Sequence, residues 1–119
     1  MGNFKQLNVW IRAKDLSVYL YKLTTNPKRK IYKDFGMKDQ MQRSVVSISS
    51  NIAEGEQLDT NKQSTKHLYI SRGSAAELWS QCIISYEIGY LDKEELDYFE
   101  EEIDAISGML TRLIKSRSN

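Results

Sequence analysis

Apolar residues recur along most of this chain at alternating steps of four and three, the interval that returns a side chain to one face of a helix with about 3.6 residues per turn. Val9, Ala13, Leu16, Leu20 and Leu23 form the first such stripe. Asn3 followed by Gln6 has the spacing of a helix-capping box ahead of it, and no breaker intervenes before Asn26-Pro27. Met41, Val45, Ile48, Ile52 and Gly55 form a second stripe. Ser64, Leu68, Ala75, Trp79, Cys82 and Tyr86 mark the buried side of a long third helix, opened by a box at Thr60 and Gln63 and stopped near Gly89. The cleanest stripe is the last, Leu96, Phe99, Ile103, Ile106, Leu110 and Leu113, capped by Asp92 with Glu95. Its acids come early and Arg112, Lys115 and Arg117 come late, as the helix dipole favours. The predicted helices cover about 4–25, 38–57, 61–89 and 93–115, and no alternating strand pattern competes with them. Short links make consecutive helices antiparallel, so the expected architecture is all-α, an up-down-up-down antiparallel four-helix bundle.

At 119 residues the chain is long enough for one core and not two, which predicts a single domain over 1–119. It has no apolar run of the roughly 20 residues needed to cross a membrane. The charged residues within Phe4 to Asp15 interrupt any secretory apolar region. A soluble, cytoplasmic protein with no membrane partner is therefore expected. Cys82 is the only cysteine, has no partner for an internal disulfide, and lies on the apolar side of its helix as a small hydrophobe. The first helix carries a second apolar stripe, Phe4, Leu7, Ile11, Val18 and Tyr21, interrupted by Lys14. A helix at the edge of a monomeric bundle needs only one stripe, so the second predicts self-association. Net charge is +1, but residues 1–59 hold ten basic against six acidic residues while 60–119 hold seven against ten.

Several groups of residues are candidates for chemistry. Gln40, Arg43, Ser47, Asn51 and Glu54 form a polar stripe beside the core stripe of the second helix, and their spacing allows a continuous hydrogen-bonded network. Such a network either fixes register with a neighbouring helix or recognises a ligand. Gly55 is a terminator or a point where another helix comes close. A di-iron bundle site needs two Glu-x-x-His pairs, whereas His67 is the only histidine, so Glu54, Glu77, Glu87 and His67 predict no metal site and no cofactor is implied. His67 is expected at the surface or at an interface. Ser47 and Cys82 have no spacing that brings a base to them, which leaves no catalytic residue to name. Glu94, Asp97, Glu101 and Asp104 form an acidic ridge opposite the core of the last helix. Gly73-Ser74 lies within the third helix, where small residues permit close packing. Lys28, Arg29, Lys30 and Lys33, near Tyr32 and Lys22, suit phosphate contact with base stacking on RNA or single-stranded DNA; they equally suit a solvated connection.

The run Arg43-Ser-Val-Val-Ser-Ile-Ser-Ser-Asn-Ile-Ala-Glu-Gly55 resembles the hallmark of the 23S rRNA intervening-sequence protein family. Arg72-Gly-Ser-Ala-Ala-Glu-Leu78 is similar to that family's second motif, and Leu7 to Trp10 with Ala13 and Leu16 to its amino-terminal pattern. The resemblance implies a small bacterial four-helix protomer assembling into a ring-like homopentamer, with no enzymatic activity. Arg43, Ser47, Asn51, Glu54, Gly55, Arg72, Gly73 and Glu77 are then motif residues with a structural or assembly role. The chain also resembles the accessory variability protein of diversity-generating retroelements, a basic pentamer that binds nucleic acid. It departs from that relative in its near-neutral charge, and from the family's frequent arginine after the glycine, where Glu56, Gln57, Leu58 and Asp59 stand. The expected partners are other copies of the chain and RNA or a nucleic-acid-associated protein, the alternative being a protein-binding adaptor with no nucleic-acid role.

Overall fold

The computed structural model describes residues 3–58 and 60–118; Met1, Gly2, Asp59 and Asn119 lie outside the described residues. Four α-helices run in order: α1 (Asn8–Thr24), α2 (Phe35–Gln57), α3 (Asn61–Glu87) and α4 (Lys93–Arg117). They form an all-α four-helix bundle whose 46 Å long axis is close to the length of α3 alone, about 40 Å at 1.5 Å per residue.

The caps explain where the helices depart from the predicted ranges. Asn3 Oδ1 accepts from the Lys5 amide at 3.2 Å instead of from Gln6, so it opens a 3-10 turn at Phe4–Gln6 and α1 begins at Asn8. Asp34 Oδ1 accepts from the Met37 amide at 3.0 Å, which starts α2 three residues earlier than its apolar stripe indicates. Thr60 Oγ1 accepts from the Gln63 amide at 3.2 Å and starts α3. Gly89, at φ +87°, turns the chain after α3, a conformation open to glycine and strained for most other residues. Asp92 and Glu95 complete the predicted capping box of α4.

The stripes of α1, α2 and α4 point into the core as their spacing requires, with Leu16, Leu20, Ile48, Ile52, Phe99 and Ile106 fully buried. At the end of α4 the buried position is Ile114, and Leu113 is only half-buried. In α3 two predicted core residues are exposed: Trp79 at 42% and Tyr86 at 38%. The positions that face inward are Ser64, Leu68, Ser71, Ala75, Leu78, Gln81, Cys82 and Ser85. Trp79 sits instead at the rim, where its indole nitrogen donates to Glu100 at 2.7 Å. Small hydroxyls face the core because α3 lies close against α2, its most extensive packing partner. The α3–α4 and α1–α2 seams follow, and α1–α4 is the thinnest of the four, with α1 and α3 diagonally opposed.

The two motif glycines meet different surroundings. A Cβ on Gly55 would stand 3.2 Å from the Ser64 carbonyl oxygen, and α2 continues past it to Gln57. Gly55 thus marks a close approach of helices and terminates nothing. At Gly73 nothing lies within 4 Å of the position a Cβ would take, so close packing within the chain does not account for it. Among the described residues no helix is long and apolar enough to cross a membrane.

Candidate functional site

The hallmark residues converge on the seam between α2 and α3. Ser47 Oγ and Ser74 Oγ share a hydrogen bond of 2.8 Å across it. Asn51 Nδ2 donates to Ser47 at both the carbonyl oxygen (2.9 Å) and Oγ (3.1 Å), while Asn51 Oδ1 lies 3.0 Å from His67 Nδ1. Glu54 Oε2 lies 3.1 Å from the same nitrogen. Both oxygens are acceptors, so Nδ1 carries a proton and is shared between them. Three residues of the predicted polar stripe, Ser47, Asn51 and Glu54, therefore belong to a network, Ser74–Ser47–Asn51–His67–Glu54, in which Ser74 and His67 come from α3, while Gln40 and Arg43 stand outside it. His67 is half-buried within it.

Two further hydroxyls join the same seam. Ser44 Oγ donates to Glu77 at 3.1 Å, and Ser71 Oγ donates to the Ile48 carbonyl at 2.8 Å. Gln40, Arg43, Ser44, Ser47, Ser74 and Glu77 line a shallow groove of about 320 Å³ along it. The arginines of the two motifs do not enter the network. Arg43 pairs with Asp39 on the exposed face of α2 at 2.9 Å. Arg72 donates to Thr111 on α4 at 3.1 Å and lies over the Tyr69 ring.

The basic connection between α1 and α2 divides into two kinds of residue. Arg29 forks onto Glu95, with both bonds at 2.8 Å, and also donates to the Tyr90 carbonyl at 2.9 Å. The hydrogen bond to Glu95 raises its pKa further, although burial opposes this. Burial also works against the charged form of Glu95, but the Arg29 hydrogen bond and the Asp92 amide outweigh it and leave that carboxyl below its ordinary range. Arg29 therefore pins the connection to α4 and is not turned towards solvent. Lys28, Lys30 and Lys33 are exposed and form no ion pair among the described residues. Ile31, in the same stretch, is buried and anchors the segment to the core.

One residue at this corner escaped the sequence pattern. Phe35 opens α2 and is 71% exposed, the most exposed large apolar side chain of the molecule's described part. Its signal was its phase: six residues before Met41, it sits about 120° round the helix from the core stripe. Beside it, Lys38 Nζ stands 4.6 Å from the centroid of Tyr32 and 4.7 Å from that of Phe35.

Elsewhere, Cys82 is buried and burial pushes its thiol pKa far up, which keeps the inert thiol form. Among the described residues no group of three or more His, Cys, Asp and Glu is placed to hold a metal ion.

The chain is similar to a crystal structure from Bacteroides thetaiotaomicron, a protein of unknown function from the S23 ribosomal protein family. The two are 25% identical with a TM-score of 0.81, over 90% of this chain and 98% of the other. No curated protein matches. Residues 5–112, which include both motifs and the core stripes as far as Leu110, match the description "23S rRNA-intervening sequence protein". With nearly the whole chain inside that match, the protein belongs to the 23S rRNA-intervening sequence protein family.

Proposed function

We propose that this protein is a non-enzymatic, cytoplasmic homo-oligomeric scaffold that touches RNA through the lysines of its α1–α2 connection. The observation that carries the assembly is the outer face of α3. Between His67 and Tyr86 only Arg72 and Glu77 are charged, so the outer face of this part of α3 carries little charge. Contiguous exposed apolar side chains on such a face mark an interaction surface. Here Ile70, Trp79, Ile83 and Ile84 are 36–46% exposed, with Gly73 and Ala76 bare among them. Close approach by another helix gives the unexplained Gly73 a purpose. The complementary surface is on the diagonal helix, where Ile11, Val18 and Tyr21 of α1 are exposed. Two different faces on opposite helices favour a head-to-tail contact, which closes into a ring when the rotation between copies permits. Five copies per ring is what the resemblance to the family implies.

Light scattering on the purified chain tests this directly. The expected particle is a pentamer of the 13.8 kDa chain, and Ile84→Glu, on an exposed position, should dissociate it without unfolding it. A stable monomer at micromolar concentration overturns the assembly. The likeness to the accessory variability protein of diversity-generating retroelements supports nucleic-acid contact, although this chain has far less net charge to offer. A second reading rests on the exposed ridge Glu94, Asp97, Glu101 and Asp104, which suits a basic protein partner. Replacing Lys28, Lys30 and Lys33 with Gln separates the two, because an adaptor keeps its partner and an RNA-binding scaffold does not.

A further inference from the structure

We propose that Phe35 and Tyr32 form a stacking platform for unpaired RNA bases, which makes single-stranded RNA, not duplex, the form bound at this corner. The inference rests on the RNA contact proposed above and assigns its site and selectivity. Phe35 is 71% exposed and Tyr32 36%, and the ammonium of Lys38 lies within 4.7 Å of both ring centroids. Lys38 also donates to the Tyr32 carbonyl at 3.1 Å, so one side chain holds the two rings at a common corner. Phe35 adds nothing to the core, and α2 is capped by Asp34 without it.

The surroundings suit a polyanion. Residues 28–38 hold five basic side chains and one acid. That acid, Asp34, accepts from the Met37 amide and from the Tyr90 hydroxyl at 2.7 Å, and the nearby Asp39 is taken by Arg43. Arg29 is occupied by Glu95, which leaves Lys28, Lys30 and Lys33 as phosphate contacts. The amino terminus of α2 adds its partial positive charge at the same place. Aromatic faces beside lysines bind successive unstacked bases with little regard to sequence, whereas in a duplex both faces of each base are already covered. A short connection with two rings has room for one or two bases, and the lysines track the backbone on either side.

Fluorescence anisotropy with a short mixed-sequence single-stranded RNA, and a hairpin duplex of the same composition, tests the platform on the full chain. The single strand should bind more tightly than the duplex, and Phe35→Leu should weaken it about 10-fold while Phe35→Trp retains it. Lys30→Gln with Lys33→Gln should instead flatten the loss of affinity between about 50 and about 200 mM salt. Parent-like binding by Phe35→Leu, with the lysine variant weakened, overturns the platform and leaves the phosphate contact standing. Absence of binding at low salt by the parent overturns both. Melting temperature and assembled mass are read on every variant; a change of mass in Phe35→Leu places the ring between copies of the chain and also overturns the platform.

Discussion

The α2–α3 and α1–α4 seams solve the same packing problem in opposite ways. Along α2–α3 small residues, Gly55, Ser64, Ser71 and Ala75, lie among the large apolar ones, and the helices meet closely enough for the Ser71 hydroxyl to reach the opposite backbone. Along α1–α4 the filling is aromatic: Tyr19 lies 4.5 Å from Tyr98 and 5.3 Å from Phe99, centroid to centroid. One forked pair, Arg12 with Glu102 at 2.8 and 3.2 Å, closes that seam from outside. Short hydroxyl bonds fix register because a shift of one residue breaks all of them. Stacked rings supply buried area and tolerate small shifts. The hallmark run thus lies where the fold demands the most specific fit.

The largest break is expected on the aromatic side. Phe99 is fully buried and touches rings on its own helix and on α1, so Phe99→Ala leaves a cavity that neighbouring large side chains cannot fill. A loss of about 3–5 kcal/mol is expected, read from urea midpoints at unchanged slope. Gly55→Val breaks the other seam by the opposite mechanism. With the Ser64 carbonyl already 3.2 Å from the position of a Cβ, added methyl groups must push α2 and α3 apart, at about 2 kcal/mol. The two variants should also differ in kind: displacement at Gly55 perturbs the Ser47–Ser74 and Asn51–His67 bonds together, visible as a shift of the His67 ring resonances that Phe99→Ala does not cause. Equal effects on His67 would mean that the seams are not mechanically distinct.

This contrast also explains what the amino-acid sequence discloses. α4 is legible because its inward stripe is made of large apolar residues and its outward face of acids. α3 is not: spacing alone selects Trp79 and Tyr86 as core, since both are large and in approximate phase, while the true inward positions include Ser71, Gln81 and Ser85. Close helix approach reverses the usual relation between size and burial. The stripe Ser47, Asn51 and Glu54 is visible as a line of polar residues, but its partners Ser74 and His67 lie on another helix at a register that no local pattern encodes. Arg29 resembles its lysine neighbours until the fold brings Glu95 to it from 66 positions away. Phe35 is readable only through its phase, and the absence of any packing role for it emerges once the helix is in place.

The smallest effect concerns charge. The polar bonds across the seam between α2 and α3 mostly involve hydroxyls, whereas the α4 side is tied to the rest of the chain by carboxylate–guanidinium pairs, Glu95 to Arg29 and Glu102 to Arg12. For Glu95 the linkage has a definite sign. Its folded-state pKa lies below the ordinary 4.5, so the unfolded chain takes up a proton first as pH falls. The stabilisation is complete above the ordinary value and is lost as pH descends through the lowered one, leaving the Arg29 guanidinium facing a neutral acid. With the Glu95 side chain only 14% exposed, the expected loss is about 1 kcal/mol. Asp34, also held low by the Tyr90 hydroxyl and the Met37 amide, acts in the same direction from a more exposed position. Glu95→Gln should therefore be less stable than the parent at neutral pH and lose less on acidification below pH 4.5, so that the two stability curves converge. Ser71→Ala, on the hydroxyl seam, should run parallel to the parent throughout. Curves for Glu95→Gln that also ran parallel would show the clasp to be electrostatically silent, and the difference between the two seams would then be one of size alone.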